Sequence, residues 1–289
     1  MKKILAVVSA LALTVSALPV LAQSPTGVNA QLTTPGTTQT LLLPAAADHA
    51  GVISLGTAID PQSGKLVEGY AIVRYKPTTA KPNNPGGGHG GNSSGDGSTC
   101  YAFLSKEAKW KTIEPWLINP DNTQGLDENT IAAVAATSVT KWEDAADGIV
   151  NDSNFLNILG VGSITSATLQ ADTVSPDGTN EVYFGSIADA NAIAVTIVWG
   201  IFGGPPAGRE LVEWDQIYDQ VDFDWSLSGE TNKMDFENIA THELGHTFGL
   251  ADLYTAGCAE ETMYGYGSEG EIKKQDLNLG DITGISKLY

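Results

Sequence analysis

Between Asp127 and Ala146 apolar residues recur at helical spacing, at Ile131, Val134, Ala135, Val139 and Trp142, with acids at the start. This predicts an amphipathic helix that carries Trp142 into the core. A second helix is predicted from about Asp235 to Phe248, stopped by Gly249, and a final one from about Asp276 to Tyr289. Runs rich in β-branched and aromatic residues predict strands at Gly51–Leu55 and Gly69–Tyr75, on either side of a turn at Asp60–Gly64. Further strands are expected at Trp116–Asn119, Asn157–Leu159, Glu181–Phe184, Ala192–Trp199 and Leu211–Tyr218. Strands gathered ahead of two late helices point to an α+β fold with a mixed sheet.

The same pattern divides the chain. Lys2 and Lys3 precede an apolar, Ala-rich run from Ile4 to Leu18, and Val20–Ala22 offers a processing site, so residues 1–22 read as a signal peptide. A retained membrane anchor is the alternative, because the apolar stretch is almost long enough to span a bilayer; Pro19 and the Ala, Ser and Thr content favour cleavage. Residues 23–76 form an N-terminal segment, either a propeptide or a small β unit. Residues 77–99 are a Pro- then Gly/Ser-rich linker in which His89 is read as a solvated side chain. Residues 100–289 have globular composition.

Charge narrows the range of partners. With 15 basic and 34 acidic residues the formal charge is −19, which disfavours nucleic acid as a ligand because phosphate would be repelled. An acidic chain with 42% hydrophobic residues suits an exported, monomeric protein with no stable membrane association once the signal is removed. Two cysteines, Cys100 and Cys258, in an oxidising compartment read most simply as one disulfide.

One segment carries the chemistry: Thr241-His-Glu-Leu-Gly-His246-Thr-Phe-Gly249-Leu-Ala-Asp252. Positions 242 and 246 on a helix present both imidazoles on one face, as two ligands of one small ion require. Glu243 lies about 100° round the helix, where it can reach a water beside the metal without ligating it. With 4 histidines in the chain, such a pattern arises by accident in roughly three chains per thousand. A catalytic zinc takes three protein ligands, so the third must come from beyond the helix; Gly249 allows the sharp end, and the side chain at 252 is Asp.

On these residues the sequence resembles the metzincin metallopeptidases, whose long motif is HExxHxxGxxH followed by a Met-turn. Asp252 stands where most members carry His, a variation similar to that of the snapalysin-like secreted proteases. Glu261-Thr-Met-Tyr-Gly265 looks like the Met-turn, with Met263 at its centre, and is closest to the matrixin form. Leu279–Tyr289 resembles the matrixin C-terminal helix, and Ala192–Trp199 with Val212–Asp215 resembles the edge strand and neighbour that line the matrixin cleft. The resemblance covers about residues 100–289. It implies a metzincin-type catalytic domain: a twisted mixed sheet, a long N-terminal helix, an active-site helix and a C-terminal helix.

The activity so implied is peptide-bond hydrolysis in secreted, extracellular surroundings on protein or peptide substrates. One catalytic zinc would be held by His242, His246 and Asp252, with Glu243 as general base and Tyr264 or Tyr266 as transition-state support. Structural calcium is also implied, with oxygen-rich stretches at Asp172–Asn180 and Asp215–Asp224 as sources of ligands. Latency could arise from Cys100 as a zinc-ligating thiolate, which would orphan Cys258, or from His49. The rival reading is a secreted binding or adhesion protein on a non-cleaving metzincin domain, against which retention of Glu243 speaks. A purely structural zinc would need a fourth protein ligand, and none is apparent.

Overall fold

The structure, a computed structural model, describes residues 30–33, 40–43, 51–77, 99–152 and 154–289. The signal peptide expected at 1–22, His49, His89 and nearly all of the linker lie outside the described residues. No described helix is long and apolar enough to cross a membrane.

The expected α+β architecture is present, and its strands run further towards the N-terminus than the linker suggests. Strands β1 (Ala30–Thr33) and β2 (Thr40–Leu43) pair with each other. Strands β3 (Val52–Ile59) and β4 (Leu66–Tyr75) form a hairpin, and its turn is tied by Asp60, whose carboxylate accepts from the Gln62 and Ser63 amides at 3.0 and 2.9 Å. Downstream come β5 (Trp116–Asn119), α1 (Glu128–Ala145), β6 (Gly162–Ile164), β7 (Asn180–Gly185), β8 (Ala192–Ile201) and β9 (Glu210–Asp219). Short strands β10 (Trp225–Ser226) and β11 (Met234–Asp235) lead into α2 (Phe236–Thr247), and α3 (Leu279–Leu288) follows a long loop.

Seven strands make one sheet in the order β3-β4-β8-β9-β7-β5-β6. Strands β9, β7, β5 and β6 run parallel to one another, whereas β8, β4 and β3 are added by antiparallel pairing, β8 against β9. Ala192–Trp199 was expected at a cleft edge. It is instead an inner strand, because β4 covers its outer side from Glu68↔Gly200 to Tyr75↔Ala192.

Period-two alternation sends the two sides of these strands to two cores. On the helical face, Ile72, Ala194, Val198 and Trp214 pack with Trp142, Ile239, Leu244 and Phe248. On the other face, Val67, Ala71, Val73, Val195, Ile197 and Trp199 pack together with Tyr183 and Ile217. Gly69 is needed here, since a Cβ at that position would stand 2.6 Å from the Trp199 ring.

The helices begin where a carboxylate can accept their first amides. Asp127 caps α1 through the Thr130 amide at 2.8 Å, and Asp235 caps α2 through the Asn238 amide at 2.9 Å. Gly249 ends α2 with φ +100°, in the left-handed region. Two expected boundaries change. Asn157–Leu159 is not a strand, because the Ile158 and Leu159 amides donate to Glu143 Oε1 on α1 at 2.6 and 2.9 Å instead of to a ladder; β6 lies just beyond. The last helix starts at Leu279 and not at Asp276, since Asn278 and Asp281 form a capping box there.

Candidate metal centre

Helix α2 is buried almost throughout, so its polar residues need partners inside the protein. The imidazoles of His242 and His246 lie on one face, their ring centroids 4.9 Å apart. Each has its Nδ1 engaged by a carbonyl: His242 donates to Thr262 O at 2.6 Å and His246 to Leu250 O at 2.9 Å. Those bonds fix the tautomer and leave both Nε2 atoms as lone-pair donors. The chain turns at Gly249 and brings Asp252 back, with Oδ1 at 3.1 Å from His242 Nε2 and 3.6 Å from His246 Nε2. All three atoms are buried and without a hydrogen-bond partner.

That donor set fits zinc. Two ligands of a tetrahedral ion with bonds of about 2.0–2.1 Å stand about 3.3–3.4 Å apart, and Asp252 Oδ1 lies within a few tenths of an ångström of that separation from each imidazole. Protonation states suit ligation as well. Burial and the nearby Arg74 hold His242 well below its ordinary pKa, hence neutral. Burial pushes Asp252 up, but the surrounding basic groups, His246 first and the Arg74 cation among them, outweigh it and hold the carboxyl well below the usual range.

Glu243 sits beside this set without joining it. Its Oε2 accepts from Thr196 Oγ1 on β8 at 2.7 Å, while Oε1 has no hydrogen-bond partner and lies 3.9 Å from His242 Nε2. Burial raises its pKa, against the opposing pull of His246, Arg74 and Thr196.

Beneath His242 and His246, Met263 packs against α2 at Gly245; a Cβ there would fall 2.2 Å from Met263 Sδ and 2.8 Å from the Trp142 ring. The glycine inside the histidine motif therefore permits the close approach of the Met263 loop. That loop is fixed from below by Asp281 of α3, a buried carboxylate that accepts from the Thr262 and Met263 amides at 2.7 and 3.1 Å. A relay runs from α3 through Asp281 and Thr262 to the His242 ring. Asp281→Ala is expected to weaken zinc affinity by 10- to 100-fold, the usual cost of losing an outer partner of a ligand; competition against a chromogenic chelator reads this. An unchanged affinity would show that the Met263 loop holds itself.

Several of these residues carry only a faint mark in the sequence. Thr196 is the one polar side chain in the apolar run Ala192–Trp199, and Arg74 the one charge in Gly69–Tyr75, which is the signal that marks both. Tyr254 donates to Asp252 Oδ2 at 3.0 Å and meets Tyr266 edge to face, with ring centroids 5.4 Å apart. Tyr264 and Tyr266 offer their carbonyls to Arg74, at 3.2 Å from Nη1 and 2.8 Å from Nη2.

Cys100 and Cys258 form a disulfide, with Cα atoms 5.5 Å apart, so Cys100 is not a thiolate available to a metal. A second group of carboxylates, Asp172, Asp177 and Glu213, has its oxygens within 4.8 Å of one another. Glu213 is only 1% exposed, and its Oε1, like Asp172 Oδ2, is buried without a partner. Burial, with the neighbouring carboxylates, pushes both groups above their ordinary pKa. Of the two oxygen-rich stretches, this group draws on the first; Asp215, in the second, is engaged by the Asp172 amide at 2.8 Å.

Comparisons with known proteins agree with this geometry. The Matrixin family model matches residues 206–289. Metalloendoproteinase 2-MMP of Arabidopsis thaliana is 32% identical over 92 residues, 29% of this chain and 21% of that protein. The chain thus spans about a fifth of the length of the curated relative it matches. Residues 206–289, which contain the two histidines, Glu243, Asp252 and Met263, are matrixin-like, and both matches point to a metallopeptidase.

Proposed function

We propose that the chain is a secreted zinc endopeptidase, with residues 1–22 as its export signal and residues 100–289 supplying the metal ligands and the base. One observation carries this reading: three buried, unpartnered ligand atoms converge beside a carboxylate that has one oxygen held and one free. His242, His246 and Asp252 hold the zinc, which when bound supplies Lewis acidity to a water and to the scissile carbonyl. Thr196 keeps Glu243 oriented through Oε2, so the free Oε1 accepts the proton of the attacking water. The same oxygen returns that proton to the leaving nitrogen. Tyr254 donates to Oδ2 of Asp252 and so leaves Oδ1 as the oxygen that would ligate a metal.

The reading is tested by metal content and cleavage together. The full chain is expected to retain one zinc and to hydrolyse an unstructured protein such as casein in a zinc-dependent way, losing activity to a chelator and regaining it with zinc. Failure to retain stoichiometric zinc, or cleavage indifferent to the chelator, would overturn it. A secreted binding protein that no longer cleaves is disfavoured by the intact Glu243–Thr196 pair, which has no use without a proton to move.

Calcium is proposed at Asp172, Asp177 and Glu213, where the unpartnered Glu213 Oε1 is directed into a set of oxygen ligands. Millimolar calcium is expected to raise the melting temperature of the parent chain by several degrees and that of Glu213→Gln much less. Equal shifts in the two proteins would place any calcium elsewhere.

A further inference from the structure

Two lysines stand side by side in the loop between Met263 and α3, and the fold uses them differently. Lys273 is exposed and pairs with Glu260 at 3.0 Å. Lys274 is turned inside and is 0% exposed. A buried ammonium needs a partner for its protons. Here Nζ donates to the carbonyl of Tyr266, pairs with Glu271 at 2.9 Å and lies 5.6 Å from the centre of the Tyr264 ring. The Lys274 amide donates to Asn238 Oδ1 at 2.8 Å, on α2 one turn before His242.

What Lys274 grips is the segment beside the metal ligands. Tyr264 forms a parallel bridge with Leu253, the neighbour of Asp252, and the Gly265 amide donates to Leu253 O at 2.8 Å. Gly265 lies so close to Tyr254 that a Cβ there would collide with the ring. Beyond it the Tyr266 ring meets that of Tyr254, whose hydroxyl is bonded to Asp252. Three half-buried tyrosines thus form an aromatic face next to the ligand set. Such a face can cover the side chains and backbone of a bound peptide, provided that it is held still.

The charged groups around Lys274 Nζ are Arg74 from β4 and Glu271 and Lys273 from its own loop; the facing segment adds the phenols of Tyr264 and Tyr266, and α2 the neutral Asn238. Burial first, then Arg74, pulls Lys274 down to about 7, against the opposing pull of Glu271. We infer that Lys274 is a positioning residue for peptide binding, its ammonium holding the Tyr264–Tyr266 segment in the form that receives a substrate beside the ligand set. The charge is present below neutral pH and lost above it, so the segment loosens, and peptide binding weakens, as pH rises. The inference rests on the reading of this site as that of a peptidase.

The test compares the zinc-loaded full chain with three variants. Lys274→Met keeps the reach of the side chain and removes the charge, Lys274→Arg carries a charge that persists at every working pH, and Lys273→Ala is the exposed control. KM and kcat on a quenched fluorescent peptide are measured from pH 6 to pH 9, beside the calorimetric Kd of a peptide whose scissile bond is reduced and uncleavable. In the parent and in Lys273→Ala, KM and Kd are expected to rise about tenfold across this range, the scale of one lost hydrogen bond from a charged donor. Lys274→Met is expected to stay flat at the weak value, with one zinc retained and kcat at pH 7 close to that of the parent. Lys274→Arg is expected to stay flat at the tight value. A profile in Lys274→Met that matches the parent's would overturn the inference. So would loss of zinc from Lys274→Met, which would make the lysine a support of the metal. Should Lys274→Met not fold, a Lys274→Arg profile that rises like the parent's overturns the inference alone. If no protein cleaves while Kd follows the expected pattern, Lys274 keeps its role and the peptidase reading falls; absence of peptide binding in all four overturns both.

Discussion

Glu243→Gln is expected to keep its zinc and to lower kcat by about 10²–10⁴-fold, the range that a positioned general base contributes. Glutamine has the shape of glutamate and can still accept from Thr196 Oγ1, now 2.7 Å from Oε2, so the helix and the ligand set should not move. It cannot take a proton at pH 7. Zinc content by atomic absorption, together with kcat on a peptide, separates the two effects. A fall of less than tenfold would remove Glu243 from the mechanism. Loss of zinc would mean that the buried carboxylate is needed to balance the charge of the site, and that its role is structural.

Reduction of the Cys100–Cys258 disulfide, or Cys258→Ser, is expected to cost up to about 5 kcal/mol, since the bond closes a loop of 158 residues and so restricts the unfolded chain. The bond also has a local consequence. It fastens the segment entering the globular region beside the loop that carries Asp252. There the Ala251 amide donates to Ala102 O and the Leu104 amide to Gly249 O, both at 2.9 Å. Weaker zinc binding should therefore accompany the loss of stability. Denaturant midpoints with and without a reductant measure the first effect, and metal competition the second. A change below about 1 kcal/mol would show that the packing around Cys258 holds the loop unaided.

Much of the site is legible in the sequence because its signals are local. The i, i+4 spacing of His242 and His246, the helix-ending Gly249 and the capping residues Asp127 and Asp235 all lie within a few positions of what they organise. Thr196 and Arg74 act over longer distances, whereas Tyr254 lies two positions from Asp252 and has no periodic signal to mark it. Thr196 is 47 positions from Glu243, and Arg74 reaches Tyr264 over 190. Only the sheet order brings these together, and strand order has no periodicity to read. Ala192–Trp199 does carry a hint. Its nearly unbroken apolar run is the pattern of a strand covered on both faces, and such strands are usually flanked as well. The last helix begins late for a local reason, since Asp276 and Leu277 look helical until Asn278 is recognised as the cap.

With β4 seated against β8, the margin of the sheet on that side is β3. Val52 and Ile59 on it, and Leu66 beside it, are exposed, the composition that invites a foreign strand to add on. The ladder is broken between Ser54 and Gly56, where Leu55 is an extra residue and Gly56 takes φ +89°. A strand arriving from another molecule would meet donors and acceptors out of step halfway along. The bulge thus guards against self-association, leaving the margin able to close on its own hairpin and poorly able to recruit a neighbour.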